Sequence, residues 1–106
     1  MVTLVSQNIN EFELHLRAFL NLQIPNIEII EPSATRVILS NHECINPIYE
    51  GLNEALEFES TKVLIFGKPS SRKGRRMGVV LSSNTDINLA RKNADEAAHK
   101  IKVSTK

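Results

Sequence analysis

A small α+β domain, built as a mainly antiparallel sheet with helices packed on it, is the fold class that a few stretches of this 106-residue chain predict. Thr61-Lys-Val-Leu-Ile-Phe-Gly67 and Met77-Gly-Val-Val-Leu-Ser82 are short apolar runs joined by a connection rich in turn formers, the spacing of a hairpin-like pair. Ala34-Thr-Arg-Val-Ile-Leu-Ser40 is a third, β-branched run. Beyond them Ile87, Ala90, Ala94, Ala97 or Ala98, and Ile101 recur at helical spacing, and so small a face implies close packing on a sheet. Strands are expected around 34–40, 61–67 and 76–82, with helices from about 9 to 21 and 86 to 101 against them.

The remaining elements follow in chain order. Residues 2–5 (Val-Thr-Leu-Val) read as a strand, and Ser6-Gln-Asn-Ile-Asn-Glu11 as the capping stretch of a helix, with Asn8 and Glu11 spaced as a capping pair. Phe12, Leu16, Phe19 and Leu20 make one apolar face of that helix, Glu13 and Arg17 sit at i and i+4 on the other, and Pro25 ends it. His15 lies one residue off the stripe, at the surface. Residues 27–31 are a short strand candidate closed by Pro32. Asn46-Pro47 has the form of an N-cap followed by proline at the first helical position, which predicts a second helix to about Phe58, with Gly51 weakening it by about 1 kcal/mol relative to alanine. The two strands around 61–67 and 76–82 are apolar at consecutive positions, so each is expected to be covered on two faces. Asn84-Thr-Asp86 caps the last helix, and Val103 adds a final strand residue.

Size and 42% hydrophobic content fit a single domain over 1–106. Because the chain opens directly on a strand-like run, it is expected to be a segment of something longer. It has no charged n-region followed by an apolar stretch and no run of about 18 apolar residues, so a cytoplasmic location with no membrane partner is expected. Cys44, the sole cysteine, cannot form an internal disulfide and reads as a small packed apolar residue. Catalytic templates fail. Six residues separate Gly67 from Gly74 and no Lys-Ser or Lys-Thr follows, so the phosphate loop of nucleotide-binding proteins is not matched. There is no Cys-x-x-Cys or His-x-x-x-His pair, and His15, His42 and His99 are scattered over different elements. No catalytic, cofactor-binding or metal-binding residue is assigned to these 106 residues.

The chemistry concentrates in Phe66-Gly-Lys-Pro-Ser-Ser-Arg-Lys-Gly-Arg-Arg-Met-Gly78. From Lys68 to Arg76 it carries five cations in nine residues; without them the chain would hold 8 basic against 12 acidic residues, about −4. Positive charge is therefore local. Pro69 and Gly74 bend the backbone, Arg75 and Arg76 lead into a strand whose successive side chains point to opposite faces, and guanidinium groups bind phosphate through paired, charge-assisted hydrogen bonds. Lys68 could meet the same anion as a point charge. A solvated hairpin tip is the plain alternative. Nucleic-acid binding is disfavoured, because no aromatic is interleaved between Lys68 and Arg76 for base stacking.

Met1-Val-Thr-Leu-Val-Ser-Gln, Glu11-Phe-Glu-Leu-His-Leu-Arg-Ala-Phe-Leu, and Phe66-Gly-Lys-Pro with Gly74-Arg-Arg-Met-Gly-Val occur together and in order. In this the chain resembles the C-terminal part of formate-dependent phosphoribosylglycinamide formyltransferase, an ATP-grasp enzyme of purine biosynthesis. The resemblance implies the small C-terminal domain of that superfamily (the rudiment single hybrid motif). It also implies an activity of the full-length enzyme, in which ATP and Mg²⁺ activate formate as formyl phosphate for attack by the amine of glycinamide ribonucleotide. At matching positions Lys68, Arg75 and Arg76 hold the substrate's phosphate side. Ser70-Ser-Arg-Lys replaces a more acidic stretch of the family, so the roles of Arg72 and Lys73 stay open. The family's ATP-binding lysines, paired metal-binding glutamates and a substrate-contacting aspartate lie upstream of the Val-Thr-Leu stretch, so neither ATP nor Mg²⁺ is expected to bind this chain alone, and the chain alone is expected to be inactive. Glycinamide ribonucleotide, formate and the upstream ATP-grasp domains are the implied partners, with a homodimer left open. A second resemblance, to the C-terminal region of the ATP-grasp aminoimidazole ribonucleotide carboxylase with its similar Lys…Gly-Arg-Lys loop, is the alternative. Arg76, where that enzyme tends to have lysine, and the N-terminal Ser-Gln…His-Leu-Arg-Ala-Phe-Leu stretch favour the formyltransferase.

Overall fold

The computed structural model describes residues 1–105. In chain order the elements are α1 (Thr3–Ser6), α2 (Glu11–Phe19), β1 (Ser33–Leu39), β2 (Cys44–Ile45), β3 (Ile48–Glu50), α3 (Leu52–Leu56), β4 (Thr61–Ile65), β5 (Ser70–Ser71), β6 (Arg76–Ser83), α4 (Ile87–Lys100) and β7 (Lys102–Ser104). The centre is an antiparallel sheet in the order β1–β6–β4, as the sequence predicts, and two antiparallel ribbons, β2–β5 and β3–β7, flank it.

Coverage of the sheet follows strand position. β6 lies between two neighbours, and its Met77, Val79, Val80 and Leu81 are buried, so it is covered on both faces as expected. β4 is an edge strand whose Lys62 and Leu64 are exposed while Thr61, Val63 and Ile65 are partly buried, so the expectation of two covered faces fails there. On one face α4 lies against Ile38 and Val80, and its Ala90, Ala94 and Ala97 are buried. Those methyl-sized side chains let the helix approach the sheet closely. Asp86 caps α4 by accepting from the Asn88 amide at 2.9 Å. On the other face α1 packs over β6.

Residues 48–58 are not one helix. Ile48, Tyr49 and Glu50 pair with Ser104, Val103 and Lys102, which keeps them extended, and Gly51 then turns at φ +86° before the short α3 begins. A side chain there would place Cβ 1.7 Å from the Lys100 carbonyl oxygen, so the turn excludes every residue but glycine. Tertiary pairing with β7, invisible to a local reading, overrides the Asn-Pro capping signal.

The first 32 residues depart furthest from expectation. Residues 2–5 fall in a helical turn, α1, with the Leu4 and Val5 amides donating to the Met1 and Val2 carbonyls. Residues 27–31 contribute a bridge between Ile29 and Gln7 and no longer strand. The cap of α2 is Asn10, which accepts from the Glu13 amide at 2.9 Å. Asn8 instead ties the chain across to residues 26 and 28, donating to the Asn26 carbonyl and accepting from the Glu28 amide. The apolar face of α2 is there, and Glu13 pairs with Arg17 at 3.5 Å. The face is largely uncovered: Phe19 is 80% exposed, and Ile29 beyond it 77%.

Candidate functional site

The backbone of the connection between β4 and β6 is pinned at several points, while the side chains of Arg72, Lys73 and Arg76 are exposed. The Phe66 amide donates to the Met77 carbonyl at 3.0 Å. β5 pairs with β2, and the Asn46 amide donates to the Pro69 carbonyl at 2.8 Å. Ser40 then holds the far end from both sides, its carbonyl accepting from the Gly74 amide at 2.8 Å and its amide donating to the Arg75 carbonyl at 3.0 Å. Its cations thus stand on ordered backbone.

A β-bulge decides where Arg76 goes. Ile38 pairs with Gly78 but Leu39 pairs with Arg76, so Met77 is the extra residue and its side chain turns into the core. Arg76 consequently shares the sheet face of Thr35 and Val37, away from α4, where with Met1, Phe12, Phe66 and Val79 it lines an apolar cleft. In a regular ladder residue 76 would share the face of Gly78 and Val80 and its charge would point at the alanine helix. Nothing in the local sequence marks the bulge.

Lys68 comes to the same place. Gly67 has a left-handed backbone at φ +72°, and beyond it the half-buried Lys68 side chain comes back to the strand end, its Nζ donating to the Arg76 carbonyl at 2.6 Å and lying 5.6 Å from the centre of the Phe66 ring. Arg75 stands apart. Its guanidinium donates to Ser70 Oγ at 3.2 Å and lines a separate opening with Glu43, Cys44, Ile45, Ser70, Ser71 and Arg72. Of the residues singled out by the sequence, Lys68 and Arg76 are therefore brought together on one side of the connection, with Arg75 on the neighbouring opening. Arg72 and Lys73 are exposed at the tip.

Cys44 makes more polar contacts than a packed apolar residue would. Ser71 Oγ donates to the His42 carbonyl at 3.0 Å, and the Cys44 sulfur lies 2.9 Å from Ser71 Oγ and 3.8 Å from the Ser104 carbonyl, to which its thiol can donate. Beside it the Tyr49 hydroxyl is buried without a hydrogen-bond partner; burial, and then the neighbouring Cys44, push its phenol above the usual range. Among the described residues no group of His, Cys, Asp and Glu could hold a metal ion. Nor is any helix among them long and apolar enough to cross a membrane.

Solved structures share this architecture, and they place it in a class, the small C-terminal domain of ATP-grasp enzymes. N5-carboxyaminoimidazole ribonucleotide synthetase from Thermotoga maritima superposes with a TM-score of 0.92 at 28% identity, covering 98% of this chain and 29% of that one. Glycinamide-RNase-transformylase T from Mycobacterium tuberculosis superposes with a TM-score of 0.71 at 34% identity, covering 93% of this chain and 24% of that one. The chain belongs to the family described as PurT, C-terminal, whose family model matches residues 33–101. It is 90% identical over 105 residues to the formate-dependent phosphoribosylglycinamide formyltransferase of Prochlorococcus marinus strain AS9601, a match that takes in 99% of this chain and 27% of that protein. The chain thus spans about a quarter of the length of the curated relatives it matches.

Proposed function

We propose that this chain is the C-terminal, substrate-binding part of an ATP- and formate-dependent enzyme that formylates glycinamide ribonucleotide in purine biosynthesis, and that Lys68, Arg75 and Arg76 grip the phosphate of that ribonucleotide. The observation that carries the reading is the pinned β4–β6 connection, which sets the Lys68 ammonium against the Arg76 backbone and orients the Arg75 guanidinium, through Ser70, on the neighbouring opening. The relatives' names supply the substrate.

Within the grip the two arginines divide the work. Arg75, steadied by Ser70, is the phosphate clamp. Arg76, exposed at the mouth of the apolar cleft, is the group free to meet charge developing at the reacting centre. The residues present do not fit ATP or Mg²⁺: the chain has neither a glycine-rich phosphate loop nor a carboxylate cluster among the described residues, so both belong to the upstream domains. The uncovered face of α2 and the segment that follows it is where those domains would lie. A cytoplasmic location accompanies this activity. The fold shared with the Thermotoga synthetase keeps a carboxylase of aminoimidazole ribonucleotide as the second reading; turnover with formate against bicarbonate separates the two.

Steady-state kinetics of the full-length enzyme test the grip. Each sheltered, charge-assisted contact is worth roughly 1.5 to 3 kcal/mol, so Arg75→Ala should weaken ribonucleotide binding by about tenfold to a hundredfold while ATP affinity changes much less. Arg76→Ala should lower kcat more than it raises KM. Normal kinetics in both variants would return the connection to a structural role.

A further inference from the structure

We propose that Phe66 is a positioning residue for the substrate phosphate: its ring and the Arg76 carbonyl together form a seat that fixes the Lys68 ammonium where the anion arrives. The proposal rests on the reading of Lys68 as part of the phosphate grip.

A lysine side chain has several rotatable bonds, and an exposed one spends its time among many rotamers, so an anion that recruits it must first order it. Here the ordering is done beforehand. The ammonium lies 5.6 Å from the Phe66 ring centre, within the roughly 6 Å reach of a cation–π contact, and donates to the Arg76 carbonyl at 2.6 Å. An ammonium has three N–H donors, and the carbonyl takes one of them, so donors remain for a phosphate. The ring is held on one side and 37% exposed on the other. The Phe66 amide is bonded to the Met77 carbonyl, and the ring joins Phe12, Val37 and Val79 in lining the cleft. Gly67, between the ring and the lysine, has a left-handed backbone at φ +72° that favours glycine. One short segment thus supplies the aromatic platform and the cation, while the strand it pairs with supplies the carbonyl and the guanidinium of Arg76.

What the seat needs from residue 66 is a π face, which separates a positioning role from mere apolar packing. Phe66→Leu keeps the packing and loses the face, whereas Phe66→Tyr keeps both. In the full-length enzyme, Phe66→Leu is expected to raise KM for glycinamide ribonucleotide about two- to fivefold, with kcat and KM for ATP little changed, and Phe66→Tyr to restore most of the loss. Lys68→Met should raise the same KM by more, and adding Phe66→Leu to it should cost nothing further, since a ring that acts through Lys68 has nothing left to position. Equal losses in the Leu and Tyr variants, or effects of Phe66→Leu and Lys68→Met that multiply, overturn the proposal and leave the grip standing. An unchanged KM in Lys68→Met removes Lys68 from the grip and overturns the proposal with it.

Discussion

Residues 33–104 and residues 1–32 follow the same hydrophobic patterning rules and end in opposite situations. In the first region the main apolar faces find partners within the chain: the alanines of α4 meet Ile38 and Val80, and Ile101 and Val103 close the same cluster, although Leu39, Ile45 and Leu56 stay exposed. In the second the stripe of α2 is equally regular, yet Phe12, Leu16, Phe19 and Leu20 remain half or more exposed. The family match covers 33–101, the self-sufficient part. Periodicity reports that a face is made to be buried; it does not report whether the burying surface belongs to the same stretch of chain.

The sharpest way to break this contrast is to damage each region in turn. Gly51→Ala forces a left-handed backbone on a residue whose Cβ would fall on the Lys100 carbonyl, so it should destabilise residues 33–104 by about 3 kcal/mol or more. Denaturant titration of the chain measures it; a loss below about 1 kcal/mol would mean that the body rearranges easily. A smaller effect is expected at Tyr49. Its raised pKa means that the unfolded phenol ionises first, so the stability present below its ordinary value of about 10 should decline as pH rises past that point. Tyr49→Phe removes both that decline and an unsatisfied buried hydroxyl, and should leave stability unchanged or raise it by up to about 1 kcal/mol. The smallest effect belongs to the N-terminal region: Phe19→Ala in the isolated chain should shift stability by no more than about 0.5 kcal/mol. A loss near 3 kcal/mol, the size expected of a core phenylalanine, would show that the stripe is already covered.

The sequence made the sheet, its antiparallel sense and α4 legible because each rests on a local pattern long enough to be read alone. It also located the cationic connection, since five positive charges in nine residues stand out against an otherwise acidic remainder. Features set by distant partners were illegible. Residues 48–50 are a strand because 102–104 come back beside them, and residues 2–5 coil into a turn over β6 although Val-Thr-Leu-Val has high strand propensity. The Met77 bulge is of the same kind. It parts Arg76 from the face of Val80 and brings it to Lys68 and Phe66, so the composition of the site could be read and its handedness could not.

The claim that this connection grips a ribonucleotide phosphate is tested most directly by removing the phosphate from the ligand and the guanidinium from the protein in one cycle. Dissociation constants of glycinamide ribonucleotide and of its dephosphorylated nucleoside would be measured by calorimetry on the full-length enzyme and on its Arg75→Ala variant. A gripping Arg75 makes the two losses overlap: dephosphorylation should weaken binding to the unsubstituted enzyme at least tenfold more than it weakens binding to the variant, a coupling of about 1.4 kcal/mol or more. The same ratio in both proteins would contradict the claim.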